Sequence, residues 1–211
     1  MTATKLDTIA VAPGGSGMVF DVPPADPVPV LRAWLDRAAQ EVQDPTALAL
    51  ATADAHGHAS NRIVRVLSVT TDGVLFTSHT RSQKARELAA TRWASGVLYW
   101  RETKQQVIVT GPVHRIPDSE SDALWAARPI PTQAMSAASR QSSKLDDEKE
   151  LRARAQFLAE IGQPLPRSPN WAGYRLVPAT VEFWQAGPDG LHRRLRYQKA
   201  RDSWISRRLQ P

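Results

Sequence analysis

The sequence predicts a mainly β fold, an antiparallel barrel with helices packed on its outside. Strand-like segments fall into two groups with a helical segment between them, an order that favours a barrel over a doubly wound sheet. Turn-forming residues at Asp54–Gly57 and Asp72-Gly73 separate apolar runs, as expected for antiparallel hairpins. No G-x-G-x-x-G motif follows a predicted strand, so a Rossmann dinucleotide site is not indicated.

Residues 1–29 are predicted to form a flexible N-terminal arm, and the folded domain is expected to span residues 30–211. The arm is rich in glycine and has four prolines between positions 23 and 29, a composition that opposes a helix or a central strand. From Val30 to Val42, apolar residues recur at helical spacing, with charged residues mostly on the other side. This pattern predicts one amphipathic helix at the start of the domain.

The first group of strands is predicted to be a β-meander with one inserted helix. The strands are expected over residues 46–52, 59–69, 74–77, 94–100 and 105–113. Helix-forming residues at 83–91 follow Ser82, whose hydroxyl is a suitable N-cap. A meander of this kind is typical of a barrel.

The second half of the chain is predicted to form two helices and then to return to strands. The first helix covers residues 118–127, with Asp118 or Ser119 as its cap. It ends near Arg128, because the residue before a proline disfavours helical backbone. The second helix covers residues 146–161. The later strands are expected over residues 174–176, 180–184, 191–197 and 204–209.

Composition excludes several kinds of chemistry. The 211 residues contain no cysteine, which rules out disulfides, iron–sulfur clusters and a thiol nucleophile, and five histidines without H-E-x-x-H spacing do not indicate a metal site. The net charge of +6 is dispersed, which disfavours nucleic-acid binding and favours a basic pocket for a small anion. Because no apolar run has the length of a signal peptide or a membrane span, we expect a cytoplasmic protein with no membrane partner.

Residues suited to binding a phosphate are scattered along the chain. They are Arg62, Lys84, Arg140, Gln141 and Ser142. Arginine can bind two oxygens through its planar fork, whereas lysine acts as a point charge. A plainer interpretation also exists, since Lys84 is placed to pair with Glu87 at i+3 on an exposed helix face.

A second set of candidates lies on predicted strands. Gln106 suits the polar edge of a bound ring or a solvated cross-strand pair, and the Trp184 indole suits an aromatic ligand or the core. His192 and Arg194 are two residues apart, so a strand would place them on one face, as a clamp for an anion or as solvated residues. Arg128 stands at a helix end, where the helix dipole also favours a cation. No catalytic residue is assigned, and any electron transfer requires a cofactor.

Eight short motifs, each ordinary alone, occur in a definite order along the chain. They are Arg62-Ile63-Val64, Ser82-x-Lys84, Gln106-Val107, Arg128-Pro129, Gln141-Ser142, Glu182-Phe183-Trp184-Gln185, Leu191-His192-x-Arg194 and Arg208-Leu209-x-Pro211. Together they resemble the pyridoxine/pyridoxamine 5′-phosphate oxidase family over residues 30–211. The resemblance implies an FMN-binding split β-barrel, a homodimer, and a flavin held at the subunit interface.

The same resemblance implies the site residues. The FMN contacts would be Arg62, Ile63, Val64, Arg65, Thr77, Ser78, Lys84, Gln106, Gln141, Ser142, Trp184 and Arg194. Gln83 departs from the family, which has a basic residue at this position, so one ionic contact to the phosphate is missing. Arg128, Thr132 and His192 are implied as substrate contacts, with Arg193 as a further cation.

The substrate side departs from the vitamin B6 enzymes. A lysine and a tyrosine that grip the substrate phosphate there correspond to Leu67 and Leu124 here, which would leave an enclosed phosphate short of partners. The segments that resemble the phenazine-biosynthesis branch of the family are 95–103, 134–136 and 139–142. That branch implies FMN-dependent oxidation of a reduced phenazine carboxylate by O2, giving H2O2. The alternatives are a vitamin B6 phosphate oxidase and a non-catalytic barrel that binds flavin, haem or another anion as a sensor or carrier.

Overall fold

The computed structural model describes residues 18–211, in which ten strands and six helices are found. In chain order they are α1 (Met18–Asp21), α2 (Pro27–Glu41), β1 (Ala47–Ala53), β2 (Ala59–Arg65), β3 (Ser68–Thr70), β4 (Gly73–His79), α3 (Gln83–Thr91), β5 (Trp93–Trp100), β6 (Gln105–Arg115), α4 (Asp118–Ala126), α5 (Ile130–Ala138), α6 (Glu148–Glu160), β7 (Trp171–Leu176), β8 (Thr180–Gln185), β9 (Arg193–Ala200) and β10 (Ser203–Leu209). None of the helices formed by these residues is long and apolar enough to cross a membrane.

All strand pairs are antiparallel, as the sequence predicts. The order β10-β9-β8-β6-β5-β1-β2 forms one continuous sheet, and β7, β4 and β3 extend it from the far end of β6. Only two residues separate β2 from β3, and the intervening Val66 donates its N–H to the carbonyl of Thr46. The strands from β1 to β7 therefore curl into a barrel that is split where β6 changes partners, and β8 to β10 continue the sheet beyond it.

Gly111 lies at the point where β6 changes partners. Residues 105–110 of β6 pair with β8, and residues 113–115 pair with β7. A Cβ atom on Gly111 would lie 2.0 Å from the carbonyl oxygen of Val177, so no side chain fits there. The glycine thus allows the backbone of the turn between β7 and β8 to pack against the split.

The core is filled by apolar side chains from the barrel and from α2. Trp34 of α2 packs edge-on against Phe183 with ring centroids 5.1 Å apart, and Phe183 packs against Tyr197 at 6.0 Å. Leu31 and Phe183 are fully buried. The amphipathic helix predicted near the N-terminus therefore covers one side of the sheet.

Part of the predicted N-terminal arm is helical, which corrects the sequence analysis. Helix α2 begins at Pro27 rather than Val30, because proline is tolerated in the first helical turn, and Asp26 caps the helix by accepting from the N–H of Val28 at 2.9 Å. The short helix α1 also lies within the arm and buries Phe20. Residues 1–17 of the arm lie outside the described residues.

Two further predictions are wrong in the middle of the chain. The sequence predicts two helices in this part of the chain, but the structure has a third, α5, in which Pro129 and Pro131 occupy the cap and first turn, where a missing N–H has no cost. Neither Asp118 nor Ser119 caps α4; Pro117 is the cap residue, and Asp118 instead pairs with Arg115. The cap at Ser82, by contrast, is confirmed.

Candidate functional site

Several predicted phosphate ligands meet at the N-terminus of α3. We call Arg62, Ser78, Lys84, Gln141 and Ser142 the helix cluster. Gln141 accepts hydrogen bonds from Lys84 Nζ at 2.9 Å and from Ser78 Oγ at 3.3 Å. Ser142 has a left-handed backbone (φ 70°) and accepts from the backbone N–H of Gln83 at 3.2 Å. A helix N-terminus with a lysine ammonium and two serine hydroxyls beside it is suited to an anion.

Lys84 is a buried cation in this cluster, with a side chain that bonds to neutral oxygens. Its ammonium donates to Gln141 and, at 3.5 Å, to Ser82 Oγ, and the residue is 7% exposed. Burial, and then the positive charge of Arg62, lower the pKa of Lys84 to about 8, while Glu87 acts in the opposite direction. The simple i+3 pair with Glu87 does not form. A charged lysine without a carboxylate partner favours a bound anion.

Arg62 is held by hydrogen bonds to groups on β1, β2 and α3. Its NH1 group donates to the carbonyl of Leu50 at 3.2 Å and to the Thr52 hydroxyl, and its NH2 group donates to the Ser60 hydroxyl and to Glu87 at 3.2 Å. The side chain is 19% exposed. The guanidinium is therefore fixed in place beside Lys84.

A second group of predicted residues lies in one row across three neighbouring strands. The strand register places Gln106 of β6 opposite Trp184 of β8, and Trp184 opposite Arg194 of β9. Each has a fully buried neighbour in its strand, Val107, Phe183 and Leu195 respectively, so the three residues face away from the core. We call Gln106, Trp184 and Arg194 the sheet row. Half-buried Trp184 is available to a flat ligand and does not fill the core.

A buried carboxylate orients Arg194. Glu182 is 3% exposed and accepts from Arg194 Nε at 2.8 Å and from Arg196 Nε at 2.9 Å. Arg194 NH1 also donates to the carbonyl of Gln210, at 3.1 Å. The glutamate lies in the Glu182–Gln185 motif that the sequence analysis noted, although no role was assigned to it.

Arg128 lies in an aromatic pocket with one unpaired donor. Its guanidinium carbon is 5.2 Å from the ring centroid of Trp125 and 5.0 Å from that of Trp171, and NH2 donates to Ser136 at 3.0 Å. NH1 is buried and has no hydrogen-bond partner among the described residues. Burial lowers the pKa of Arg128, and burial together with the charges of Arg128 and Lys84 lowers the pKa of His79. A buried, unpaired guanidinium N–H points to an anionic ligand.

His192 lies in the loop before β9, not on the predicted strand, and its ring contacts Trp184 at a centroid distance of 4.9 Å. Nδ1 accepts from the N–H of Gly187 at 3.3 Å, so the neutral ring carries its hydrogen on Nε2. A cavity of about 460 Å³ opens beside His192, between residues 187–193 and the C-terminal residues 208–211. Arg193 in its wall is already paired with Asp21.

Five other predicted contact residues lie outside both groups. Ile63 and Thr132 are exposed, and Thr77 is half-buried. Val64 is in the core, so only its backbone is available to a ligand, and exposed Arg65 lies 3.9 Å from Asp44. Within residues 18–211, the side chains of these five residues form no hydrogen bond with the helix cluster or the sheet row. Their roles stay predictions.

The helix cluster and the sheet row are separate. No hydrogen bond or ion pair joins them in the described part of the chain, where no group of three metal-ligating side chains is found either. The fold and these two groups define a split barrel with two separate groups of side chains that are suited to an anionic ligand.

Comparisons with known proteins identify the family. A model described as pyridoxamine 5′-phosphate oxidase matches residues 35–184, and one described as the pyridoxine 5′-phosphate oxidase C-terminal dimerisation region matches residues 171–211. The chain belongs to the pyridoxamine 5′-phosphate oxidase family. This result and the strand topology confirm the predicted split-barrel fold.

Two relatives and one solved structure show which branch of the family this chain resembles. A dihydrophenazinedicarboxylate synthase of Burkholderia lata is 47% identical over 91% of this chain and 91% of its own. A pyridoxine/pyridoxamine 5′-phosphate oxidase of Ralstonia pickettii is 40% identical over 89% of this chain and 90% of its own. The crystal structure of PhzG from Burkholderia lata in complex with tetrahydrophenazine-1-carboxylic acid has a TM-score of 0.89, covering 92% of this chain and 96% of its own. The phenazine branch of the family, predicted from the sequence, is confirmed.

Sequence reasoning missed the side chains that hold the predicted site residues. Glu87 was considered only as an alternative partner of Lys84, and it pairs with Arg62. Ser136 was noted without a role, and it bonds Arg128. His79, between two cations, was not considered. A local pattern does not signal these partners, because each comes from a different element of the fold.

Proposed function

We propose that the protein is an FMN-dependent oxidase that aromatises reduced phenazine carboxylates and reduces O2 to H2O2. The observation that carries this proposal is the guanidinium of Arg128, packed against two tryptophan rings that contact each other, with a buried, unpaired N–H. Such a pocket suits an aromatic ring bearing a carboxylate. The similarity to a dihydrophenazinedicarboxylate synthase supports the same substrate class.

The residues present fit FMN. Lys84 and the N-terminus of α3 would hold the phosphate, since buried Lys84 has only neutral partners. Trp184 and Gln106 would face the ring system, and Arg194 would supply a fixed cation at its edge. When bound, FMN supplies a two-electron acceptor that O2 can reoxidise.

We further propose that each complete site forms between two copies of the chain. The helix cluster would come from one protomer and the sheet row from its partner, because no contact joins the two groups within residues 18–211. The match of residues 171–211 to a dimerisation region supports this arrangement, since Trp184 and Arg194 lie inside it.

The residues of the protein itself would bind and orient the substrate. Each turnover removes two electrons and two protons from the reduced ring, and O2 accepts both to give H2O2. Formation of the aromatic ring drives this oxidation, so a strong general base is not required. Arg128 and His192 would hold substrate carboxylates, and the tryptophans around Arg128 would exclude water.

Oxygen consumption tests the proposed function directly. The purified protein is mixed with FMN and desalted, its visible spectrum is recorded, and O2 uptake and H2O2 are measured with a reduced phenazine carboxylate and separately with pyridoxine 5′-phosphate. We expect retained flavin and turnover of the phenazine alone. Turnover of pyridoxine phosphate alone would identify a vitamin B6 oxidase, and retained flavin without peroxide would identify a non-catalytic flavin protein.

A double substitution tests why the vitamin is excluded. Leu67→Lys together with Leu124→Tyr restores two polar groups, and we expect pyridoxine 5′-phosphate to bind roughly tenfold more tightly, as about one charge-assisted hydrogen bond would provide. Leu67 is 44% exposed and has room, whereas Leu124 packs near Gly173. Melting temperatures and the two single variants serve as controls. No gain in a folded double variant would contradict this account of specificity.

A further inference from the structure

We infer that Glu87 is a positioning residue that holds Arg62 ready for the flavin phosphate. This inference rests on the proposed flavin function. Glu87 lies one turn after Lys84 on α3 and is 7% exposed. Nothing in its sequence position suggests a partner on β2, yet its carboxylate lies 3.2 Å from Arg62 NH2.

The bonds around Glu87 form a closed network. The hydroxyls of Thr52 and Ser60 each donate to the carboxylate and each accept from Arg62, so they bridge the ion pair on both sides. The amide of Gln83 donates to the carboxylate at 2.9 Å. A buried polar network of this kind is stable only when every member is paired, and it then permits one arrangement.

The carboxylate is charged in this network. Burial opposes ionisation of Glu87, but hydrogen bonds from Thr52, Ser60, Gln83 and Arg62 outweigh it and lower the pKa to about 2. Arg62 would otherwise have a long, flexible side chain, and ordering it on ligand binding would weaken the complex. Within the described residues, Nε of Arg62 donates to no protein acceptor, so this donor stays available to a phosphate oxygen.

The network also explains the departure at position 83. Where the vitamin B6 enzymes have a basic residue, the side chain of Gln83 is bonded to Glu87, and its backbone N–H is bonded to Ser142. Gln83 therefore supports Arg62 through Glu87 and brings no charge of its own. Lys84 is left as the cation of the helix cluster without a carboxylate partner.

Dissociation constants for FMN and riboflavin, measured by flavin fluorescence, test the inference. Riboflavin lacks the phosphate, so loss of a phosphate-positioning group should affect FMN alone. We expect Glu87→Gln to weaken FMN binding by roughly tenfold and to leave riboflavin binding unchanged. Removing a negative charge near a phosphate would by itself strengthen binding, so tighter FMN binding by the variant would overturn the positioning role. Unchanged binding would overturn it as well.

A double-mutant cycle with Arg62→Gln shows whether Glu87 acts through Arg62. We expect Glu87→Gln to have no further effect on FMN binding once Arg62 is replaced; additive losses would contradict the inference. Glu41→Gln, which removes the same charge from an exposed pair with Arg37, is the matched control. If Glu87→Gln does not fold, Ser60→Ala removes one bridge of the network and should weaken FMN binding in the same direction.

The same measurements distinguish failure of this inference from failure of the proposed function. A wild-type protein that binds FMN no better than riboflavin would refute the proposed phosphate site. A wild-type protein that discriminates strongly, together with a Glu87→Gln variant that discriminates equally, would refute only the role of Glu87.

Discussion

Replacing Lys84 with methionine is expected to weaken FMN binding by roughly 100-fold, a loss of about 2.8 kcal/mol, with riboflavin binding unchanged. Methionine retains the length of the side chain and removes its charge. The effect should be large because Lys84 is buried, and its ammonium bonds only to Gln141 and Ser82 in the described structure. Fluorescence titration with both flavins measures it. Lys199→Met, which removes a cation stacked on Trp204, is the control and should change neither constant.

The pH dependence of FMN binding provides an independent check on the same residue. Since the pKa of Lys84 lies at about 8 in the free protein, the amine loses its charge as the pH rises through that value. A bound phosphate favours the charged form, so the affinity for FMN should fall by up to about tenfold per pH unit above pH 8. The Lys84→Met variant should lack this dependence. A wild-type affinity that stays constant from pH 7 to 10 would contradict the role assigned to Lys84.

Replacing Arg128 with methionine is expected to lower kcat/KM for a reduced phenazine carboxylate by roughly 100-fold, with the flavin content unchanged. The substituted side chain would still pack against Trp125 and Trp171, but the buried NH1 donor and the charge would be absent. A carboxylate brought into this apolar pocket without its partner is strongly disfavoured. Steady-state O2 uptake measures the effect.

A neutral analogue identifies the group that Arg128 binds. With a reduced phenazine that has no carboxylate, wild type and Arg128→Met should differ little. Ser136→Ala, which removes only the hydroxyl bonded to NH2, should have a smaller effect than Arg128→Met. An equal loss for the charged and neutral substrates would show that Arg128 maintains the pocket and does not bind a carboxylate.

Short sequence patterns predicted the fold well in segments where they reflect which side chains are buried. Alternating apolar residues predicted most of the strands, and Ser82 predicted the start of α3, because both signals depend on neighbouring residues. The same reasoning missed α5, whose prolines occupy positions that need no N–H donor. It also failed at His192, which the loop before β9 places against Trp184.

The sequence by itself determined the antiparallel split barrel, the family, and the identity of most residues in the helix cluster and the sheet row. These follow from short patterns and motifs that the chain has whatever its path in space. Only the tertiary structure decided which acid holds which cation. Glu87 and Arg62 are 25 residues apart, and they meet because α3 packs beside β1, the strand that pairs with β2. Two charged side chains form an ion pair only when they lie close together in space. Their separation along the chain does not give that distance, because it depends on how the strands pair.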